Sequence, residues 1–243
     1  MQITARVHRI GGLVNIYLLE TADGLVLIDT GFPNTAAAVL AAIKTLGYSP
    51  ADLRHIVLTH AHPDHVGSAA ELVHATGAQT WMHEVDAPLV ERAEMRPVHP
   101  LPNWRAKLLF NAMKLLPRKV EPARIDHRVR DGTVLPFGGL RVIHAPGHCA
   151  GQIALLWPER GMLFAADACM NLASLRQPLV NEDASLGLAS LERLATLTFN
   201  TACFGHGRPI MTDADSRFRE AFARRRASGA VMSREGTGLL ELD

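Results

Sequence analysis

Thr59-His60-Ala61-His62-Pro63-Asp64-His65-Val66-Gly67 follows an apolar run at 54–58 that reads as a strand, and it packs three imidazoles and a carboxylate into a few consecutive residues. In extended chain, residues two apart point the same way, so His60 and His62 converge on one position. Asp64 and His65, at the start of a following helix, project to a neighbouring one. Neutral imidazole and carboxylate are standard donors to Zn²⁺. The plain alternative, a solvated histidine-rich loop, does not account for the density. Pro63 stiffens the turn, and Gly67 permits a close backbone approach.

Three further elements each follow a predicted strand: Ala145-Pro146-Gly147-His148, Ala165-Ala166-Asp167 and Gly205-His206-Gly207. Loops after strand ends are where sheet folds gather functional groups. A lone histidine after glycine is more often a surface residue. Together with the first cluster, however, these loops supply five His and two Asp. Seven ligands suffice for two metal ions sharing one carboxylate.

The surrounding sequence reads as alternating strands and helices. Strands are expected at 13–19 and 25–28, joined by Asp23-Gly24, and at 54–58, 79–82, 134–135, 140–144, 152–156, 162–164 and 201–204. Helices are expected at 35–46, 68–76, 85–92 and 188–196, with a surface helix at 213–227. Between 96 and 122 the texture changes. Prolines at 97, 100, 102, 117 and 122 flank a helical stretch containing Trp104, Leu108, Phe110 and Met113. This reads as an insert over one face.

The chain has 243 residues, with 25 Lys+Arg against 24 Asp+Glu, a balance of +1 that argues against a nucleic acid or an acidic membrane as the main partner. No apolar run approaches the roughly 20 residues a membrane span needs. The N-terminus leads into a strand-like pattern without signal-peptide features. The three cysteines, Cys149, Cys169 and Cys203, are too few for a disulfide framework, and Cys149 and Cys169 read as small buried packing residues. The expectation is a soluble, cytoplasmic protein, monomer or homodimer, acting on a small molecule.

The pattern resembles the metallo-β-lactamase superfamily, whose H-x-H-x-D-H motif reads here as His60, His62, Asp64 and His65. The resemblance runs from Leu27-Ile28-Asp29-Thr30-Gly31 to Gly205-His206-Gly207. It implies a four-layer αβ/βα sandwich of the α+β class: two mixed β-sheets flanked by helices, forming one domain over 1–243 with the metal site at an edge. It also implies that His60, His62 and His148 hold one ion, that Asp64, His65 and His206 hold the other, and that Asp167 bridges them. Asp29 would orient a ligand from behind. The implied cofactors are two divalent ions, zinc first, with manganese, iron or cobalt as alternatives. The implied chemistry is attack by a metal-bridging hydroxide, with Asp64 shuttling a proton to the leaving group.

Within that superfamily, zinc β-lactamases replace the bridging Asp, and flavin-linked diiron oxidoreductases carry Glu where this chain has His62. Glyoxalase II-type thioesterases add a C-terminal helical domain, whereas 37 residues follow His206 here. These departures point to the small carbonyl hydrolases acting on lactones or esters. Lactonases carry a tyrosine three residues past the bridging Asp, where this chain has Met170. Trp104, Phe110, Met113 and Met170 are the expected substrate contacts, the first three roofing the metal edge. β-Lactam, thioester and phosphodiester hydrolysis stay open, as does a mononuclear iron persulfide dioxygenase on the same scaffold.

Overall fold

The computed structural model describes residues 1–113, 115 and 119–223, without the side chains of Leu109 and Met113. The expected contact through Met113 and the end of the helix placed at 213–227 therefore lie outside the described residues. Seven strands form the first sheet in chain order: β1 (Gln2–Thr4), β2 (Val7–Gly11), β3 (Asn15–Thr21), β4 (Gly24–Ile28), β5 (Leu53–Leu58), β6 (Gln79–His83) and β7 (His127–Val129). Pairing is antiparallel through β4 and parallel from β4 to β7. The second sheet has β8 (Arg141–His144), β9 (Ile153–Trp157), β10 (Met162–Ala166) and β11 (Thr201–Phe204) in the order β11-β10-β9-β8. Its one parallel pair is β10 with β11.

The central strands read as unbroken apolar runs because both of their faces are covered. Tyr17, Leu19, Val26, Ile28 and Val57 meet Val142, Leu155, Trp157 and Phe164 in a core between the sheets. The alternate residues Ile16, Leu18, Leu25, Leu27, Ile56 and Leu58 face outward. They pack under α1 (Ala36–Thr45), α3 (Ala69–Thr76) and α4 (Ala87–Glu91), while α2 (Pro63–Val66) carries Asp64 and His65. The insert supplies α5 (Trp104–Met113). Outside the second sheet, Ile143, Leu156, Leu163 and Phe204 pack under α6 (Ala184–Leu194) and α7 (Ala214–Phe222). The result is four layers, helix, sheet, sheet, helix, with three apolar seams.

Helix limits follow local chemistry. Gly77, at φ 72°, ends α3 in the left-handed conformation, and the Asp183 carboxylate accepts from the amides of Ser185 and Leu186 at the start of α6. The strand expected at 134–135 is a single bridge from Val134 to Arg141, because the turn through Gly138 and Gly139 leaves no length for a ladder. A two-residue ladder pairs His99 and Pro100 of the insert with Asn181 and Val180. No helix among the described residues is long and apolar enough to cross a membrane.

Parallel neighbours end on the same side of a sheet. Asp29 after β4, His60 after β5, Asp167 after β10 and His206 after β11 therefore meet at one edge of the sandwich, where His148 joins them after β8.

Candidate metal centre

That edge brings together all seven residues singled out as ligands. Three groups each have donor atoms within 4.8 Å of one another: His60, His62 and His148; His60, His65 and Asp167; and Asp64, His65 and His206. Asp167 reaches both ends of the cluster, with Oδ2 3.6 Å from His148 Nε2 and 3.3 Å from His206 Nε2, and Oδ1 3.5 Å from His65 Nε2. The donor set fits divalent cations. His60 Nε2, His65 Nε2 and Asp167 Oδ1 are buried and have no hydrogen-bond partner in the protein. Buried polar atoms are otherwise paired, so three such atoms converging on one point call for a cation.

Backbone geometry aims these groups. Ala166 adopts φ 45° where the β10–β11 register shifts, a bulge that turns Asp167 out of its strand. Opposite it stands Gly205, where an added Cβ would lie 2.0 Å from Asp167 Oδ1. Asp29 sits at φ 62°, in a left-handed conformation that bulkier residues avoid.

The model of the metallo-β-lactamase superfamily matches residues 9–206. The chain belongs to the metallo-β-lactamase superfamily. It is 25% identical over 232 residues to an N-acyl homoserine lactonase of Bacillus cereus, covering 81% of this chain and 83% of that one. It is 32% identical over 199 residues to a hydroxyacylglutathione hydrolase of Rhodobacter capsulatus, covering 81% of this chain and 61% of that one. Among solved structures, TTHA1623 in a di-iron-bound form is 34% identical with a TM-score of 0.62, covering 84% of this chain and 92% of that one. Members of the metallo-β-lactamase superfamily are metal-dependent hydrolases.

In this member of the superfamily each of the five imidazoles is fixed through its other ring nitrogen by a different partner. His65 Nδ1 lies 2.8 Å from Asp29 Oδ2, and His60 Nδ1 lies 3.0 Å from the Thr59 hydroxyl, which itself donates to Asp29. One carboxylate thus orients two rings. His148 Nδ1 pairs with the Val180 carbonyl at 2.9 Å and His206 Nδ1 with the Leu13 carbonyl at 2.8 Å. His62 Nε2 faces the Cys149 thiol at 3.4 Å. Cys149 is thus more than a packing residue, a role that no spacing in the sequence signals.

A second set is equally illegible in the sequence. Asp86, fully buried, accepts from the Ala61 amide at 2.9 Å, between His60 and His62. Glu182 accepts from the Ala150 amide at 2.8 Å, beside His148. Arg96 joins the two carboxylates, at 2.9 Å to Asp86 and 3.5 Å to Glu182, so it ties the loop of His60 and His62 to the loop of His148.

Charge divides the site. Burial, reinforced by neighbouring imidazoles, holds His60 well below its usual pKa and His62 at about 3; burial also lowers His148. These shifts favour the neutral imidazole, the form that binds metal. Burial also opposes charge on His65 and His206. There the carboxylates of Asp167 and Asp64 outweigh it, with Asp29 adding to them at His65, raising His65 well above its usual value and His206 to about 10. Asp64 and Asp167 are pushed up by burial, but the adjacent imidazoles outweigh it and hold both below the usual carboxylate range.

The cluster opens into a cavity of about 590 Å³. Its lining includes His62, Asp64, His148, Asp167 and His206 on the polar side, and Phe32, Met95, Phe110, Met170 and Leu179 on the apolar side. Phe110 and Met170 thus face the space expected of them. Trp104 does not: it is 69% exposed and is not part of the lining, which corrects its placement as a roof. The helix has apolar residues on both faces, and Phe110 occupies the inner one. Neither tyrosine reaches the cavity. The Tyr17 hydroxyl is buried against the Phe204 carbonyl at 2.8 Å, and the Tyr48 hydroxyl donates to Glu20.

Proposed function

We propose that the chain hydrolyses a carbonyl ester, lactone or related bond of a small molecule, using two divalent cations held by His60, His62, His148, Asp64, His65, His206 and the shared Asp167. Zinc is the ion proposed, with manganese, iron or cobalt as alternatives. The observation that carries the reading is the three overlapping donor groups, with Asp167 within reach of both ends, opening on a largely apolar cavity. Cations bound there would lower the pKa of water toward neutrality and polarise a carbonyl oxygen.

The chain's own groups do the rest. Asp64 lines the cavity, so its carboxylate takes the proton released by the attacking water. It returns that proton to the oxygen or nitrogen that leaves as the carbonyl bond breaks. The apolar wall around Phe110, Met170 and Leu179 holds the acyl portion and keeps bulk water out. With Met170 three residues past Asp167 and both tyrosine hydroxyls engaged elsewhere, no phenol polarises the substrate carbonyl. Esters and thioesters therefore stand beside lactones as substrates.

The test is proton release in weakly buffered indicator by the zinc-loaded protein, against a panel of lactones, esters, thioesters and β-lactams. Hydrolysis of one class, reduced by about 10²-fold or more in Asp64→Asn, is the expected result. Silence across that panel with two zinc ions bound would overturn the carbonyl reading and turn attention to phosphodiesters. On the substrate so found, Phe110→Ala should raise KM about tenfold for long acyl groups, the effect of losing one apolar wall contact. Trp104→Ala should leave KM unchanged. Steady-state kinetics on the two variants checks both.

A further inference from the structure

The outer side of α5 exposes large apolar side chains among polar and basic ones. Trp104 is 69% exposed, Leu108 63% and Leu115, in the turn just after the helix, 87%. A spacing of four residues keeps Trp104 and Leu108 on one side of the helix, and Leu115 stands in the turn that follows. Between 97 and 120 the chain carries Arg105, Lys107, Lys114, Arg118 and Lys119 and no acidic residue. The rest of the chain holds 20 Lys+Arg against 24 Asp+Glu. The overall balance of +1, which by itself argues against an acidic membrane, therefore averages over a strongly basic segment.

The described cations of this segment are also not neutralised by carboxylates. Elsewhere among the described residues, exposed Arg92, Arg124, Arg128, Arg130, Arg193 and Arg219 each bind a carboxylate, while others such as Arg6, Lys44 and Arg54 stand alone, scattered over the surface. Among the described residues, Arg105, Lys107 and Lys119 make no ion pair. The Arg105 guanidinium instead lies 5.4 Å over the Trp104 ring.

We propose that this face docks on an anionic phospholipid surface, with Trp104, Leu108 and Leu115 entering the interface and the unpaired cations meeting lipid phosphates. An exposed apolar stripe bordered by Lys and Arg and carrying Trp is the composition of interfacial helices. A second copy fits poorly, since a two-fold contact would set the same unneutralised cations against one another. A nucleic acid would use the cations but offers nothing to Leu108 and Leu115. The docked helix is the one whose inner residue Phe110 lines the cavity, and exposed Leu13 and Leu172 stand at that cavity's rim. Docking would therefore bring the cavity close to the lipid surface.

The test is cosedimentation of the full chain with vesicles of phosphatidylglycerol and phosphatidylcholine, against phosphatidylcholine alone. The expected result is binding to the anionic vesicles that weakens with salt. A blue shift in tryptophan emission should accompany it; Trp81 and Trp157 are buried, so the shift reports on Trp104. Trp104→Ser/Leu108→Ser and Arg105→Gln/Lys107→Gln should each weaken binding roughly tenfold or more. All four positions are exposed, and circular dichroism checks that the variants fold. Absence of binding, equal binding to neutral vesicles, or unchanged binding by both variants would overturn the proposal. So would a dimer in light scattering that dissociates in Trp104→Ser/Leu108→Ser, which would assign the face to a second copy, and so would tighter binding to duplex DNA than to the anionic vesicles.

Discussion

Gly205→Ala should lower hydrolysis by about 10²-fold or more while leaving the chain folded. The added Cβ would lie 2.0 Å from Asp167 Oδ1 and 2.9 Å from His65 Cε1, far inside contact distance. The backbone cannot retreat to make room. The Gly205 amide donates to the Ala166 carbonyl at 3.0 Å, and its own carbonyl accepts from the Asn15 amide at 2.7 Å. The Asp167 carboxylate must therefore swing away by about an ångström or more. A displacement of that size in a reacting constellation costs about 10²-fold in rate, and here it strikes the one carboxylate that reaches both ends of the cluster. Zinc titration and kcat/KM on the substrate identified by the panel should both show the loss, with thermal unfolding little changed. Wild-type zinc affinity in this variant would refute the proposed bridging position of Asp167.

Gly67→Ala should act on stability instead. Gly67 has φ −58°, ordinary for alanine, so conformation raises no objection. Space does: the Cβ would meet Pro33 N at 2.3 Å, Pro63 O at 2.4 Å and Phe32 C at 2.5 Å, all backbone atoms that no rotamer change can move. The loop after β5 is stitched to the loop after β4 at this point. The Gly67 amide donates to the Gly31 carbonyl at 2.9 Å, and the Thr30 amide to the His65 carbonyl at 2.7 Å. Forcing the loops apart should cost about 3 kcal/mol or more. For a chain of this size that lowers Tm by roughly 6–12 °C. Gly12→Ala, with nothing within 4 Å of its Cβ, is the matched control and should be neutral. Equal melting of the two variants would sink the argument.

The parts of this molecule legible in the sequence are those whose cause is local. The strands betray themselves because residues such as Ile16 and Tyr17 enter different cores, so each run is apolar throughout. The cluster at 59–67 shows itself because neither packing nor solvation calls for imidazoles at that density. Asp29 is reachable only through resemblance, since nothing near it in sequence shows that it would hold His65 across 36 positions. Long-range partners leave no trace at all. Cys149 beside His62, Asp86 under Ala61 and Glu182 under Ala150 exist only once the two sheets have docked. The insert misleads at Trp104 for a related reason. A helix apolar on two sides does not say which side faces in, and only the packing of Phe110 decides it. The ladder at His99–Pro100 is too short for any pattern to announce.

That short ladder ties the insert to the chemistry. Val180 pairs with Pro100 of the insert through the ladder, and its carbonyl receives the Nδ1 side of the His148 ring. Asn181 pairs with His99 in the same register. The segment that walls the cavity and the strand that holds the His148 imidazole are thus joined by hydrogen-bonded pairing. A substrate that pushes Phe110 outward, or a surface that pulls α5 toward itself, tugs on the bearing in which His148 turns. Cavity wall and His148 share one strand, so changes of sequence written into this insert should be felt at the histidine cluster as well as in the cavity.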